Sequence, residues 1–137
     1  MAKSETRKFF EFVPAVLDEI GQRQNFRCAV CGTNLGRGNT KILVNYHHVV
    51  PVQSGNPANR SHDFIRSADN GVLLCDESAA KSRSESCHGL VAHGESRFGT
   101  FAAYADAFPY SHGGDKEAHR SWVRSLNDRS RAVYTPG

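Results

Sequence analysis

The chain is 137 residues and 15.1 kDa, long enough for one modest core and too short for two. Its hydrophobic share of 39% and charged share of 23% are those of an ordinary soluble globular protein, and no apolar run approaches the about eighteen residues of a membrane span. A net charge of +3 suits a nucleic-acid partner without requiring one, and the charged N-terminus, Met1 to Lys8, lacks the apolar stretch of a secretory signal.

Residues 5–23 are predicted to be helical: Phe9, Phe12, Val13, Val16, Leu17 and Ile20 recur at spacings of three and four and make one apolar stripe. Pro14 interrupts it, so the expectation is a break near Val13 or a second helix with Pro14 in its first turn, stopping at Gly21. Cys28 and Cys31, with two residues between them and Gly32 after, have the spacing of a zinc knuckle. A disulfide reading would need an oxidising compartment, which nothing in the chain supports. A turn over Thr33–Thr40 leads to Lys41–His48, a run of β-formers ending in two histidines.

Residues 53–68 read as a polar loop punctuated by Gly55 and Pro57, and 72–75 as a short apolar strand. Residues 76–86 read as a Ser-rich charged loop, and 87–93 as the opening of a helix. In the tail, Phe101, Tyr104, Ala105 and Phe108 share a face, and Ala118, Trp122, Val123 and Leu126 mark another helix after a turn over Pro109–Gly114. Arg23, Arg27, Arg37, Lys41, Arg60 and Arg66 surround the central segments, and each singly reads as solvated surface. His62 reads as a surface residue, His119 as packed or at the surface, and His112 as either a substrate contact or part of a functionless turn.

Four stretches carry the candidate chemistry: CAVCG (28–32), HHVVPV (47–52), DNGVLLC (69–75) and CHGLVAH (87–93). In this order they resemble the HNH endonuclease family, in the subclass with a four-cysteine zinc site, over residues 28–93. The resemblance implies an α+β fold with a ββα-metal (HNH, or His-Me finger) core, a helix crossing a β-hairpin with a metal between them. A zinc knuckle and helical extensions over 5–23 and 97–133 would complete a single domain, 1–137. It also implies roles. His47 and His88 hold a divalent catalytic metal, His48 is the general base, and Asn70 orients that base or supports the loop that does so. Cys28, Cys31, Cys75 and Cys87 surround a structural Zn2+. The catalytic ion implied is Mg2+, with Mn2+, Ni2+ or Zn2+ as alternatives.

Elementary chemistry agrees. Phosphodiester hydrolysis needs an activated water, a cation to take up phosphate charge, and help for the departing oxygen. Adjacent strand side chains point to opposite faces, so His47 and His48 can do different jobs. An unperturbed imidazole titrates near about pH 6.5, which suits it to take a proton from water.

Two positions depart from the family pattern. Family members carry Cys-x-x-Cys directly before the last histidine, whereas residues 76–86 separate Cys75 from Cys87 here. That stretch reads as an insertion whose extra closure entropy is about 1–2 kcal/mol. The family's further histidine, four residues after His88, is Ala92; His93 comes one residue later, about 140° around a regular helix from His88. His93 is therefore a third metal ligand or a residue that contacts phosphate or faces solvent.

The expected function is metal-dependent hydrolysis of DNA without base-specific reading, since no helix-turn-helix or finger array is appended. The preference for DNA over RNA rests on the resemblance alone. In size the chain resembles the C-terminal warheads of antibacterial toxins, which are delivered into a target cell within a larger secreted protein and bound by a cognate immunity protein. As given, it reads as cytoplasmic, with no membrane partner. A phage-encoded or restriction-type nuclease is the rival within the enzyme class. Outside it, the rival is a non-catalytic zinc module binding nucleic acid or protein.

Overall fold

A computed structural model describes residues 5–36, 42–50, 52, 55–78 and 108–134. Helix α1 (Glu5–Phe10) ends before the proline and α2 (Pro14–Arg23) opens with it. Proline suits the first helical position because an N–H there has no intrahelical partner to lose. The helix does not stop at Gly21, as expected, but runs two residues further. Gly21 serves packing instead: a Cβ there would overlap the Phe26 ring, which folds back over the helix end. The chain leaves α2 through Asn25 and Phe26, both left-handed at φ 56° and 53°. Phenylalanine disfavours that region, and the ring packing together with a 2.8 Å bond from its N–H to the Gly21 carbonyl holds it there.

Strands β1 (Ile42–His48) and β2 (Gly71–Ser78) pair antiparallel. The register sets Val44 opposite Cys75, Tyr46 opposite Leu73, His47 opposite Val72 and His48 opposite Gly71. His48, Tyr46, Leu73 and Cys75 therefore belong to one face of the hairpin, and His47, Val72 and Leu74 to the other. Residues 76–78, expected to begin a loop, extend β2. Val72, Leu73 and Leu74 are all buried, as a strand covered on both faces requires.

The stretch 53–68 also departs from its expected loop. It contains a 3-10 helix at Arg60–Arg66, and a second follows at Ala68–Asn70. Asn59 caps the first by accepting the Ser61 N–H, and Phe64 and Ile65 enter the core. His62 is buried rather than exposed, its Nδ1 accepting the Asn56 N–H at 2.9 Å. Short turns of this type carry no 3.6-residue periodicity, so pattern reading passes over them.

The last helix, α3 (Lys116–Tyr134), buries Trp122 and Leu126, with Phe108 edge-on to Trp122. Asp115 caps it, its carboxylate accepting the Ala118 N–H and its carbonyl the His119 N–H. The Trp122 indole donates to the Asp69 carbonyl, and Arg129 pairs with the Asp69 carboxylate at 2.8 Å. These bonds fasten α3 to the turn that starts β2. The architecture is α+β, helices around a two-stranded antiparallel sheet. Phe101, Tyr104 and Ala105 lie outside the described residues. Among the described residues no helix is long and apolar enough to cross a membrane.

Candidate functional site

Backbone closure builds the cysteine knuckle. The Gly32 N–H donates to the Cys28 carbonyl and the Cys28 N–H to Thr33, each at 2.9 Å. Gly32 sits at φ +74°, a conformation in which a side chain is strained. The knuckle then docks on β2. Ala29 donates to the Leu73 carbonyl at 3.0 Å, and the fully buried Gln24 brackets the same residue. Its Oε1 accepts the Leu73 N–H at 2.8 Å, and its Nε2 donates to the carbonyls of Leu73 and Arg27 at 2.9 and 2.7 Å. The Gln24 amide thus stands in for the peptide group of a neighbouring strand.

Cys75, two residues beyond Leu73 on the same face, meets the knuckle as a result. The Sγ atoms of Cys28, Cys31 and Cys75 lie within 4.8 Å of one another, and none of the three is in a disulfide. Tetrahedral zinc with Zn–S near 2.3 Å sets its thiolates about 3.8 Å apart, so a contraction of about 1 Å would close the group on one ion. The three thiols form a possible metal site compatible with a structural zinc. Cys87, the expected fourth ligand, lies outside the described residues.

At the end of β1, the Nε2 of His48 lies 2.8 Å from the Phe10 carbonyl, and its ring stacks on Phe12 with centroids 3.8 Å apart. A carbonyl oxygen only accepts, so Nε2 carries the hydrogen and Nδ1 of the neutral ring keeps the lone pair. Burial pushes the imidazole below its ordinary range; the Phe10 carbonyl raises it, with Arg7 lowering and Glu11 raising it less. The arrangement can act as a base held in one orientation. His47 is half-buried and belongs to the other face of the hairpin.

Of the two roles implied for Asn70, its bonds fit support of the loop. The side chain is fully buried; Oδ1 accepts the Val50 N–H at 2.8 Å, and Nδ2 donates to the Val50 and Ile65 carbonyls at 3.0 and 2.9 Å. The Val49 N–H donates to its backbone carbonyl at 2.9 Å. The two residues after His48 are thereby tied to the start of β2.

Arg23, expected at the surface, is a part-buried clamp whose guanidinium donates to the carbonyls of Ser111, Ala68 and Gly71. Burial works against its charge, while Asp69 and Glu19 support it. Arg27 donates to the Gly32 carbonyl at the rim of the knuckle, and Arg66 lies 4.2 Å above the Phe9 ring. Arg37, Lys41, His88 and His93 lie outside the described residues. Within those described, the hairpin gathers His47, His48 and Asn70 at one end, and Cys75 on β2 meets Cys28 and Cys31. Sequence reading missed Phe10, Phe12 and Gln24 as parts of the site. Phe12 carried a core signal only, and a carbonyl acceptor has no residue-type signature. Comparison of the chain with protein-family models, with curated proteins and with solved structures found no match.

A second histidine group lies at the foot of α3. The buried Ser111 hydroxyl is 2.9 Å from His112 Nδ1 and 2.7 Å from His119 Nδ1, and both rings pack against Trp122. A hydroxyl has one hydrogen, so it donates to at most one of these nitrogens. Burial, then Arg23 and His119, lower His112 to about 4, against smaller raising effects of Asp115 and Asp69. The unfolded chain takes up this proton near its ordinary value of about 6.5, so stability is intact above that pH and declines as pH falls towards about 4. Allowing for partial exposure, the loss is about 1–2 kcal/mol. Urea unfolding across that window should show this component in the parent and not in His112→Gln; identical pH slopes would contradict it.

Proposed function

We propose that the chain is a metal-dependent endonuclease of the HNH type acting on DNA, with His48 as general base. The anchored imidazole carries this reading: Nε2–H on the Phe10 carbonyl, the ring against Phe12, and Nδ1 left with its lone pair. In the reaction Nδ1 takes the proton of the attacking water, and the Phe10 carbonyl dipole stabilises the imidazolium that forms. Asn70 acts on the following loop, keeping Val49 and Val50 in place so that His48 holds its aim. A divalent ion, Mg2+ first among candidates, held by His47 and His88 with His93 as a further candidate ligand, would take up charge on the phosphate and stabilise the departing 3′ oxygen.

A structural zinc on Cys28, Cys31 and Cys75, with Cys87 completing the set, would hold the knuckle on β2. The proposed setting is a toxin domain delivered into a target cell and restrained by an immunity protein in the producer. Plasmid nicking in EDTA and in added Mg2+, Mn2+ or Ni2+ tests the activity. His48→Ala should lower the rate by about 10²- to 10⁴-fold while circular dichroism shows the fold retained. A variant that cuts as fast as the parent would remove His48 from this role.

The non-catalytic zinc module is favoured by one observation. The cysteine group is the only metal-type cluster among the described residues. That reading predicts no nicking with any ion from a folded, metal-loaded protein.

A further inference from the structure

We infer that the exposed flank of α3 formed by Lys116, Arg120 and Arg124 is a track for the phosphate backbone of a nucleic-acid duplex. The inference rests on the nuclease reading for its class of ligand, but the residues lie outside the stretches that resemble the nuclease family. Spaced four apart, the three side chains fall within about 80° of one another around the helix and rise about 6 Å at each step. All three are exposed, while Trp122 and Leu126 hold the opposite side of α3 in the core.

Charge singles out this helix. Its sequence, KEAHRSWVRSLNDRSRAVY, has five basic residues (Lys116, Arg120, Arg124, Arg129, Arg131) and two acidic ones (Glu117, Asp128). That excess equals the net +3 of the whole chain, so outside α3 the charges balance. No acidic group among the described residues pairs with Lys116 or Arg124. Arg120 meets Glu117 at 2.7 Å, but both are mostly solvated, and such a pair is worth so little that a phosphate can displace it. A duplex presents one negative charge per about 1.7 Å of axis, matching a repeating row of cations better than a single anion would.

Two further observations choose the partner. Among the described residues the exposed large hydrophobics are Val13, Val44 and Tyr110, and the Lys116, Arg120 and Arg124 flank includes none of them to insert into a bilayer. The helix is also fixed to the candidate site. Trp122 and Arg129 hold Asp69, and the next residue, Asn70, holds the loop after His48. A duplex lying on this flank therefore bears on a rigid extension of the catalytic loop.

The test is fluorescence anisotropy of a labelled DNA duplex over a salt series, in a His48→Ala background so that nothing is cut. Lys116→Gln, Arg120→Gln and Arg124→Gln together should weaken binding on the order of tenfold at low salt. The slope of log affinity against log salt should become shallower by about 0.9 for each phosphate that is no longer neutralised, up to about 3 in all. Lys116→Arg with Arg120→Lys and Arg124→Lys should keep the parent slope, because charge and not packing is at work. An unchanged slope in the neutral variant overturns the proposal, as does a parent that binds no duplex or binds only phosphatidylserine vesicles. A protein that binds through α3 yet nicks no plasmid with His48 intact keeps this inference and removes the nuclease reading.

Discussion

Cys31→Ser is expected to abolish metal retention and to lower the melting temperature by more than about 10 °C. The size of that effect is the informative point. Cys31 is exposed, and an exposed substitution ordinarily changes stability by within about 0.5 kcal/mol. Cys28 and Cys75 are buried, so exchanging either thiol for a more polar hydroxyl disturbs the core whether or not a metal is bound. Only at Cys31 does a large loss point to the ion. Structural zinc contributes about 10–16 kcal/mol to the folding of finger peptides. Here the knuckle is also tied to β2 through Ala29 and Gln24, so we expect the metal's share to be about 3–5 kcal/mol. Metal analysis and thermal melting check this together, and chelator should bring the parent down to the variant. A parent without metal, or a variant with full metal and a melting point within about two degrees of the parent, would leave the three thiols as packing alone.

What could be read in advance was whatever residue type and period encode. Pro14 placed the start of α2 because its ring and missing N–H allow few other positions. The β-formers at 42–48 and the apolar stretch at 72–75 found both strands, and Trp122 with Leu126 found α3. The Cys-x-x-Cys-Gly spacing found the knuckle, since few chemistries need two thiols and a left-handed glycine so close together. What could not be read depends on side chains that bond to main-chain atoms far away in sequence. Gln24 on Leu73, Arg23 on three separate carbonyls and His48 on Phe10 all join a residue type to a backbone group that every residue has. His62 failed for a related reason: its neighbours are polar, yet the 3-10 turn rotates it inward beside Phe64 and Ile65. Gly21 failed because the signal for a helix stop is the same as the signal for a ring packed against the helix.

Asn70→Ala should be the most damaging single change at the hairpin that leaves the thiols untouched. Three buried backbone groups lose their partner together: the N–H of Val50, its carbonyl, and the carbonyl of Ile65. No solvent reaches Asn70, and each group stranded in such a place costs about 1–3 kcal/mol. Some relaxation will recover part of the sum, leaving a loss of about 3–5 kcal/mol, a large fraction of the 5–15 kcal/mol that holds a typical domain together. Asn70→Asp should do little better, because a carboxylate can accept from Val50 but turns its second oxygen towards two carbonyls. Urea unfolding measures the loss directly. The comparison with His48→Ala separates the two roles open to this asparagine. If Asn70 supports the loop, its replacement destabilises the protein, and nicking falls in step with the folded fraction and the freedom of Val49 and Val50. If it acts on the reacting groups themselves, Asn70→Ala would melt near the parent temperature and still fail to nick, and the hydrogen bonds to Val50 and Ile65 would then carry far less than their burial implies.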